Sequence, residues 1–475
     1  MAGPAVLALS ACAAGPDYRA PAPAALGIPA GYMQGPAPAT SDADLATWWT
    51  RLNDPVLSHF IDAAIANNLD IVQAQARLRQ ARESLRQANA AFLPQVNGSG
   101  SGGQTYRSGG GGSRVDDNGN VISTGSGPWS GSYSLAANAS WQIDLFGELS
   151  RSSEAARADL AASGYDLAAV RGTIIAELVS NYVQVRLAQT QLAIARESLR
   201  VQQDNYDIAR WRLQAGLVSS LDEQQARAQL AQTAAGIPSL EANIRSALNR
   251  IAVLTGQAPG EATRALEQAG PIPSAPADIL VGVPADTLRQ RPDVRSAERA
   301  LAAATARIGV AQAQLYPALG INGSIGTSAT SIKSLFDVIT GSVFGNIAQV
   351  IFDGGRLASQ VRSQRAAADA AFAAYKQTVL TSLEDVENGV AALNAARARE
   401  TQFTIAYEAS NNAAILARAQ YRSGLTDFQT LSTAEQTLLS ARNSLTGAQS
   451  DEALAVAQLY NALGGGWQNM DGRPQ

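Results

Sequence analysis

The chain holds one cysteine, one histidine and three methionines in 475 residues. Cys12 lies near the start and His59 beside Phe60, so neither a Ser-His-Asp nor a Cys-His catalytic pair can be assembled, and metal-ligand clusters are absent. Catalysis would have to rest on carboxylates and lysine, and lysine occurs only at Lys333 and Lys376. The expectation is no enzyme, no metal and no cofactor, with His59 a helix-packing residue. Formal net charge is -4, pI is about 5.3 and no Lys/Arg cluster exists, which removes the electrostatic basis for nucleic-acid binding. No run of 18 apolar residues is present, excluding a spanning α-helix. A membrane barrel stays open, because its strands alternate and barely register on hydropathy. Proline is missing from residues 147–213 and again from 355–421, two segments of 67 residues.

What is there is a duplication. Leu93-Pro94-Gln95-Val96-Asn97-Gly98-Ser99 mirrors Tyr316-Pro317-Ala318-Leu319-Gly320-Ile321-Asn322-Gly323-Ser324, with Pro94 and Pro317 separated by 223 positions. Asn68-Leu69-Asp70 precedes Arg291-Pro292-Asp293 by the same 223. Past a glycine-rich stretch the offset becomes 208, pairing Gly147 with Gly355, Arg212 with Gln420, Gly216 with Gly424 and Ala226 with Ala434. The 15-residue difference falls in the Gly/Ser/Thr segment, so each copy is a helical frame carrying a variable exposed excursion.

Near the start, Val6-Leu7-Ala8-Leu9-Ser10-Ala11-Cys12 has a short apolar run and small residues before the cysteine. That is the shape of a bacterial lipobox, which would make Cys12 an acylated first residue. Met1-Ala2-Gly3-Pro4 carries no basic residue, so the signal reads as truncated. A stray cysteine in a tail is the alternative. The Pro/Ala/Gly-rich residues up to 42 read as an extended strap.

Each proline-free segment would form a helix roughly 100 Å long at about 1.5 Å per residue. Leu178, Val185, Leu192, Leu199, Tyr206 and Leu213 recur every seventh position, and Ala188, Ala195 and Ala209 lie at neighbouring seam positions. Such a heptad stripe means coiled-coil packing, with alanines permitting close approach. In the second copy Val386, Leu393, Tyr407 and Tyr421 keep the stripe and Glu400 interrupts it. Both helices stop at Gly216-Leu217 and Gly424-Leu425, after which helices return over 221–255, broken at Gly236-Ile237-Pro238, and over 428–463.

Strands are expected between these helices. Tyr133, Leu135, Ala137, Ala139, Trp141, Ile143 and Leu145 alternate with smaller or polar residues, longer than the roughly 9–11 residues of a tilted membrane strand. Tyr133 and Trp141 are candidate interfacial aromatics. Residues 319–327 repeat the pattern, with partner strands at about 95–106 and 344–352 and an exposed loop over 108–127. Four strands cannot close a barrel, and an open edge in lipid leaves backbone groups unsatisfied, so a membrane reading requires oligomerisation. A soluble hairpin beside a coiled coil remains the alternative on these residues.

Cys12 with Gly15-Pro16-Asp17-Tyr18, Trp48-Trp49, Asp54-Pro55, Asn67-Asn68-Leu69-Asp70, Asp144-Leu145-Phe146-Gly147, Arg291-Pro292-Asp293, Ala297-Glu298, Phe352-Asp353-Gly354-Gly355 and Leu463-Gly464-Gly465-Gly466-Trp467, in this order, resemble the recurring elements of TolC/NodT-type outer membrane factors. The resemblance runs from Cys12 to Trp467. It implies a mainly α-helical fold with a small membrane β-barrel portion: a homotrimer with a twelve-stranded barrel and a long coiled-coil α-barrel. It implies an exit duct of a tripartite efflux pump in the outer membrane lipid, gated at its periplasmic end. The implied partners are a periplasmic membrane-fusion (adaptor) protein and an inner-membrane RND-type transporter.

On this basis the chain divides into a signal segment, 1–11; a lipid-anchored strap, 12–42; repeat one, 43–256, with hairpin 94–146 and long helix 147–213; an equatorial linker, 257–289; repeat two, 290–466, with helix 293–315, hairpin 317–353 and long helix 355–421; and a tail, 467–475. The resemblance places adaptor docking at the turns carrying Gly216, Leu217, Gly424 and Leu425, and makes Asp222 a gate residue. Thr433 occupies a position where the family often has aspartate. Asp427 and Glu435 are candidate substitutes, and Arg212 and Arg422 candidate ion-pair partners. Solvated charges beside a helix end are the alternative for each. Drug efflux, metal-ion efflux and type I protein secretion share this architecture, and a soluble periplasmic coiled-coil protein is the different-class reading.

Overall fold

The computed structural model describes residues 13–29, 45–106, 108, 113–115, 121–123, 129–260, 264, 266–276 and 290–468. In chain order the elements are α1 (Pro23–Leu26), a 3-10 turn (Trp48–Leu52), α2 (Pro55–Asn67), α3 (Leu69–Ala90), β1 (Gln95–Tyr106), β2 (Ser113–Val115), β3 (Val121–Ser123), β4 (Trp129–Ile143), α4 (Glu148–Gln214), α5 (Ser220–Leu254), α6 (Pro292–Ala313), β5 (Ala318–Ala329), β6 (Ile339–Ala348), α7 (Arg356–Arg422) and α8 (Phe428–Ala462). The duplication holds element by element. The long helices α4 and α7 have 67 residues each, the return helices α5 and α8 have 35, and α3 and α6 have 22.

The chain folds as two compact units. The first comprises Met1–Arg19, Gln80–Leu160 and Arg299–Phe372 and holds the sheet. Its four strands run antiparallel in the order β1-β4-β5-β6. Two expectations change here. The last strand is Ile339–Ala348, not 344–352: it follows the register of its neighbour β5, where Ala318 meets Ala348. The residues beyond it leave the ladder, and Ile351 and Phe352 are each 90% exposed. Within the 108–127 excursion, β2 and β3 form a three-pair ribbon.

The second unit comprises Ala20–Arg79, Ala161–Glu298 and Ala373–Gln475. Its core gathers Trp48, Leu57, Ile61, Ile175, Leu178, Tyr182, Ile251, Leu254, Val456 and Tyr460, all essentially inaccessible to water. Trp48 stacks on Tyr460 with centroids 5.2 Å apart. Asp54 starts α2 by accepting from the Val56 and Leu57 amides at 2.9 and 3.1 Å, with Pro55 suited to the first turn, and the Tyr182 hydroxyl donates to its other oxygen at 2.6 Å. Burial, followed by the hydrogen bond to Asp54, pushes the Tyr182 hydroxyl well above the usual phenol range. His59 is exposed, its ring against Phe60, so it is not the packing residue expected.

The heptad stripe of α4 is buried at Leu178 and Val185 and half-buried from Leu192 to Leu213. Glu400, which interrupts the α7 stripe, sits half-buried with its carboxyl pushed up by burial and by a hydrogen bond with Glu452. Helix α5 is not broken at Gly236-Ile237-Pro238; it continues with Pro238 inside. A proline removes one bond to the residue four before it. That residue, Ala234, is exposed, as are Ala235 and Gly236, and the Ser239 hydroxyl donates to Gly236 O at 2.7 Å.

The joints between repeat halves show why Asn68 and Arg291 lie at matching positions. The last carbonyls of a helix lack intrahelical partners. Asn68 Nδ2 donates to Leu254 O at 2.9 Å, and its Oδ1 accepts from the Asp70 and Ile71 amides at 2.8 and 3.2 Å, capping α3 while satisfying the end of α5. Arg291 Nη1 donates to Ala462 O at 2.9 Å and holds Asp293 and Asp385 at 2.7 and 3.1 Å. Leu254 and Ala462 are themselves repeat equivalents.

Candidate functional site

The sheet has two unlike faces. Facing residues of an antiparallel pair point to the same side. Tyr133, Leu135, Ala137, Ala139, Trp141 and Ile143 share one side with Leu319, Ile321 and Ile325 of β5 and with Ile339, Val343 and Ile347 of β6. These apolar groups are not covered: Val343 is 82% exposed, Ile347 74% and Ile325 57%. The other side is polar and internally bonded. Ser101 meets Ser134 at 2.8 Å, Ser324 meets Ser342 at 2.8 Å, and Asn322 donates to Asn346 at 2.6 Å, Phe344 being the apolar exception.

Strand β1 has almost no large apolar side chain of its own. Its apolar side is a row of glycines, and β4 lies over them: a Cβ at Gly100 would come within 2.9 Å of Leu135 Cδ2, and one at Gly102 within 3.0 Å of Tyr133 Cδ1. Aromatics mark both ends of this hairpin. Trp141 anchors the helical end by donating from Nε1 to Phe92 O at 2.8 Å, and Tyr106 packs on Trp129 at 5.0 Å at the other. Tyr133 and Trp141 are eight residues apart, roughly 27 Å along an untilted strand. Among the described residues β1 and β6 are each paired on one side only.

At the helical turns, residues expected to gate and dock come together. Gly216 and Gly424 have φ of 68° and 74°, the left-handed conformation that ends a helix. In both, the glycine amide bonds three residues back and the next leucine amide five back: Gly216 to Leu213 and Leu217 to Arg212 at 2.9 Å, Gly424 to Tyr421 at 3.0 Å and Leu425 to Gln420 at 2.9 Å. This closure throws Leu217 and Leu425 outward, 73% and 79% exposed.

Beneath the turns Ala209, Ala226, Ala417, Tyr421, Phe428 and Leu431 form a small separate core. The Arg212 guanidinium lies 4.7 Å over the Tyr421 ring and comes close to Gly424, linking the two turns by cation–π stacking. The Tyr421 hydroxyl is buried with no hydrogen-bond partner among the described residues. Asp222 is partly exposed in the first turn of α5. Asp427 is the N-cap of α8: it accepts from the Thr430 amide at 2.8 Å, and hydrogen bonding from Thr430 holds its carboxyl below the usual range. Thr433 bonds back to Gln429 O.

Glu435 is buried and forms a two-pronged ion pair with Arg418, its second contact at 2.7 Å. The expected cationic partners are thus placed differently: Arg212 stacks, Arg422 is exposed at the end of α7, and Arg418 holds the carboxylate. Sequence spacing hid this pairing because Arg418 lies seventeen positions from Glu435, across the turn. Cys12 lies outside the described residues.

The chain thus combines a two-faced sheet, whose edges are unpaired among the described residues, with duplicated long helices. The chain belongs to the family described as "Outer membrane efflux protein", whose model matches residues 60–257 and 283–465. It is 32% identical to Nodulation protein T of Rhizobium leguminosarum bv. trifolii over 467 residues, covering 97% of this chain and 96% of that protein. It is 28% identical to the cation efflux system protein CusC of Escherichia coli O6:H1, covering 97% of each. Among solved structures it is similar to the outer-membrane channel OprN, with TM-score 0.83 and 33% identity over 96% of this chain and 100% of that one. It is also similar to the open state of the Neisseria gonorrhoeae MtrE outer membrane channel, with TM-score 0.82 and 25% identity over 96% and 99%. The protein is an outer membrane efflux channel with a periplasmic extension.

Proposed function

We propose that three copies of this chain assemble into one duct, each contributing four strands to a twelve-stranded barrel and its helices to a periplasmic tube. The observation that carries this reading is the four-stranded sheet whose edge strands β1 and β6 have no outer partner among the described residues while one face is apolar and exposed. Backbone groups at such an edge cannot stay unpaired in lipid, and joining edges between copies satisfies them. The polar Ser/Asn face then lines the aqueous lumen.

In this reading the duct is a passive exit for drugs or other small toxic compounds and performs no chemistry. An inner-membrane RND-type transporter supplies the energy and a periplasmic adaptor docks on the exposed Leu217 and Leu425. Cys12, acylated, tethers the chain to the membrane. Gating falls to the turns: three-fold symmetry converts Asp222 into a ring of carboxylates that admits or repels by charge. Asp427 and the Arg418–Glu435 pair hold the return helix in register, and Arg212 couples the two turns through Tyr421. Arg422, exposed beside them, faces the charged ring or the adaptor.

The test is direct. Outer-membrane fractionation with heat-modifiable migration should give a trimer that collapses to a monomer on boiling. Deleting the gene should raise cellular accumulation of a fluorescent cationic dye at least severalfold. A monomer recovered in the soluble periplasmic fraction would sink the reading.

A further inference from the structure

Within the first unit, residues 13–18 lie in a fitted socket that the channel reading does not explain. The Ala14 amide donates to Phe146 O at 2.9 Å, at the junction between β4 and α4. Arg151, in the first turns of α4 and only 6% exposed, donates from Nε to Ala14 O at 3.2 Å. Its Nη2 reaches Gly15 O at 3.5 Å and Asp17 Oδ1 at 2.6 Å, while Nη1 is held by Glu154 at 2.7 Å. One buried guanidinium thus reads two successive carbonyls and a carboxylate of a segment more than 130 residues away.

Glycines shape the remainder. Gly15 has φ of 95°, and a Cβ there would collide with the backbone of Gly309 on α6. A Cβ on Gly309 would come within 2.8 Å of Ala14 O, and one on Gly147 within 3.1 Å of Ala13. Arg299 on α6 lies 5.6 Å over the Tyr18 ring and closes the far end. A glycine at the β4–α4 junction, one on α6 and a third on the segment itself are more than a solvated tail needs.

We infer that Arg151, Gly147 and Gly309 form an intrachain receptor for residues 13–18, which places the anchored N-terminus at the foot of the membrane sheet. Arg151 is a positioning residue: it touches the segment, not the lipid. The placing role rests on the reading of Cys12 as acylated; the receptor itself does not. Ala13, the first described residue of the segment, lies against Gly147, where the strand becomes helix. An acyl anchor joined to the chain just before Ala13 would then meet the membrane beside the lower end of β4. Lipid and hairpin then engage the membrane as one site.

The experiment severs the covalent link. A specific protease site is inserted after Ala30 in the full chain, the protein is cut in detergent, captured by a C-terminal tag and washed, and the N-terminal peptide still bound is quantified by mass spectrometry. Wild type should retain it. Arg151→Ala and, independently, Gly15→Ala should each cut retention about tenfold or more, with Arg151→Lys between because it keeps charge but loses the fork. Gly15→Ala leaves every helix residue intact, and unchanged heat-modifiable migration certifies the fold.

A second arm carries Cys12→Ser behind the leader of a non-lipidated secreted protein. Equal retention supports the socket; retention seen only with the lipid means the micelle holds the peptide and overturns it. The peptide mass separates the two readings. An acylated peptide released from wild type overturns the socket alone, and a peptide without acyl groups overturns the lipidation reading and the anchor-placing role together.

Discussion

The two copies of the repeat match in helix length to the residue, yet they do the same tasks with different chemistry. At the joint, copy one satisfies the end of its return helix with the neutral amide of Asn68, and copy two with the buried cation Arg291 braced by two carboxylates. At the turn, copy one has Ser219 at the N-cap and Asp222 three residues on; copy two has Asp427 at the N-cap and Thr430 three residues on. In the sheet, copy one has a 15-residue strand lying over glycines, and copy two a 10-residue strand with its own Val and Ile. Backbone geometry is held in common while side-chain charge has diverged. The frame demands a fixed length and fixed caps, and it leaves open which group does the capping.

The largest effect should come from reversing a face of the sheet. Val343→Arg places a charge on the apolar side near mid-strand, at a cost of about 2–4 kcal/mol in lipid. Outer-membrane yield should collapse, whereas Ser342→Arg, one residue away on the polar side, should insert normally. Equal yields for the two would erase the distinction between faces.

Next comes the joint. Arg291→Ala should destabilise by about 2–3 kcal/mol, because a charged hydrogen-bonding group is lost and a buried carbonyl is left unpaired, and Asn68→Ala by about 1–2 kcal/mol. Thermal unfolding followed at 222 nm should rank them in that order. The opposite ranking would mean that desolvating Arg291 offsets what its contacts contribute.

Smaller in energy is the turn. Asp222→Asn should raise single-channel conductance in planar bilayers, and Thr430→Asn, its repeat equivalent, should not. An unchanged closed current in Asp222→Asn would remove it from the gate.

The smallest is a pH effect on the N-terminal socket. Hydrogen bonding and then the charge of Arg151 hold the Asp17 carboxyl below its ordinary range. A depressed carboxyl contributes above its unfolded value of about 3.9 and loses that contribution as pH falls through its lower folded value. Retention of the severed peptide should therefore be flat from pH 7 to 5 and drop only in stronger acid, and Asp17→Asn should abolish the drop.

Much of the fold was legible because two periods dominate it. The heptad stripe of α4 and the strict alternation of β4 are one-dimensional signals that survive without a structure. Long helices and the flanking strands followed from them; the choice of a membrane barrel over a soluble hairpin came from the resemblance to outer membrane factors. Three things did not follow. The position of β6 depends on the register of β5, a partner choice that no local pattern encodes. The continuity of α5 through Pro238 goes with an exposed stretch at residues 234–236, a setting the proline itself does not announce. At the turns the sequence marked Gly216, Gly424 and the nearby charges, but the pairing of Arg418 with Glu435 and the stacking of Arg212 on Tyr421 are contacts across a turn or between turns. Glycine positions were visible as breaks; which side chains close over them was not.

The glycine row of β1 bears on the life of the chain before it reaches lipid. A protein made for the outer membrane first exists unfolded in water, where segments rich in large β-formers and poor in glycine assemble into aggregates. Gln95–Tyr106 is the reverse of such a segment, because its apolar surface appears only when Leu135 and Tyr133 close over Gly100 and Gly102. Half of the first hairpin is thus greasy only after pairing, so the chain travels as a more water-tolerant polymer than the one it becomes.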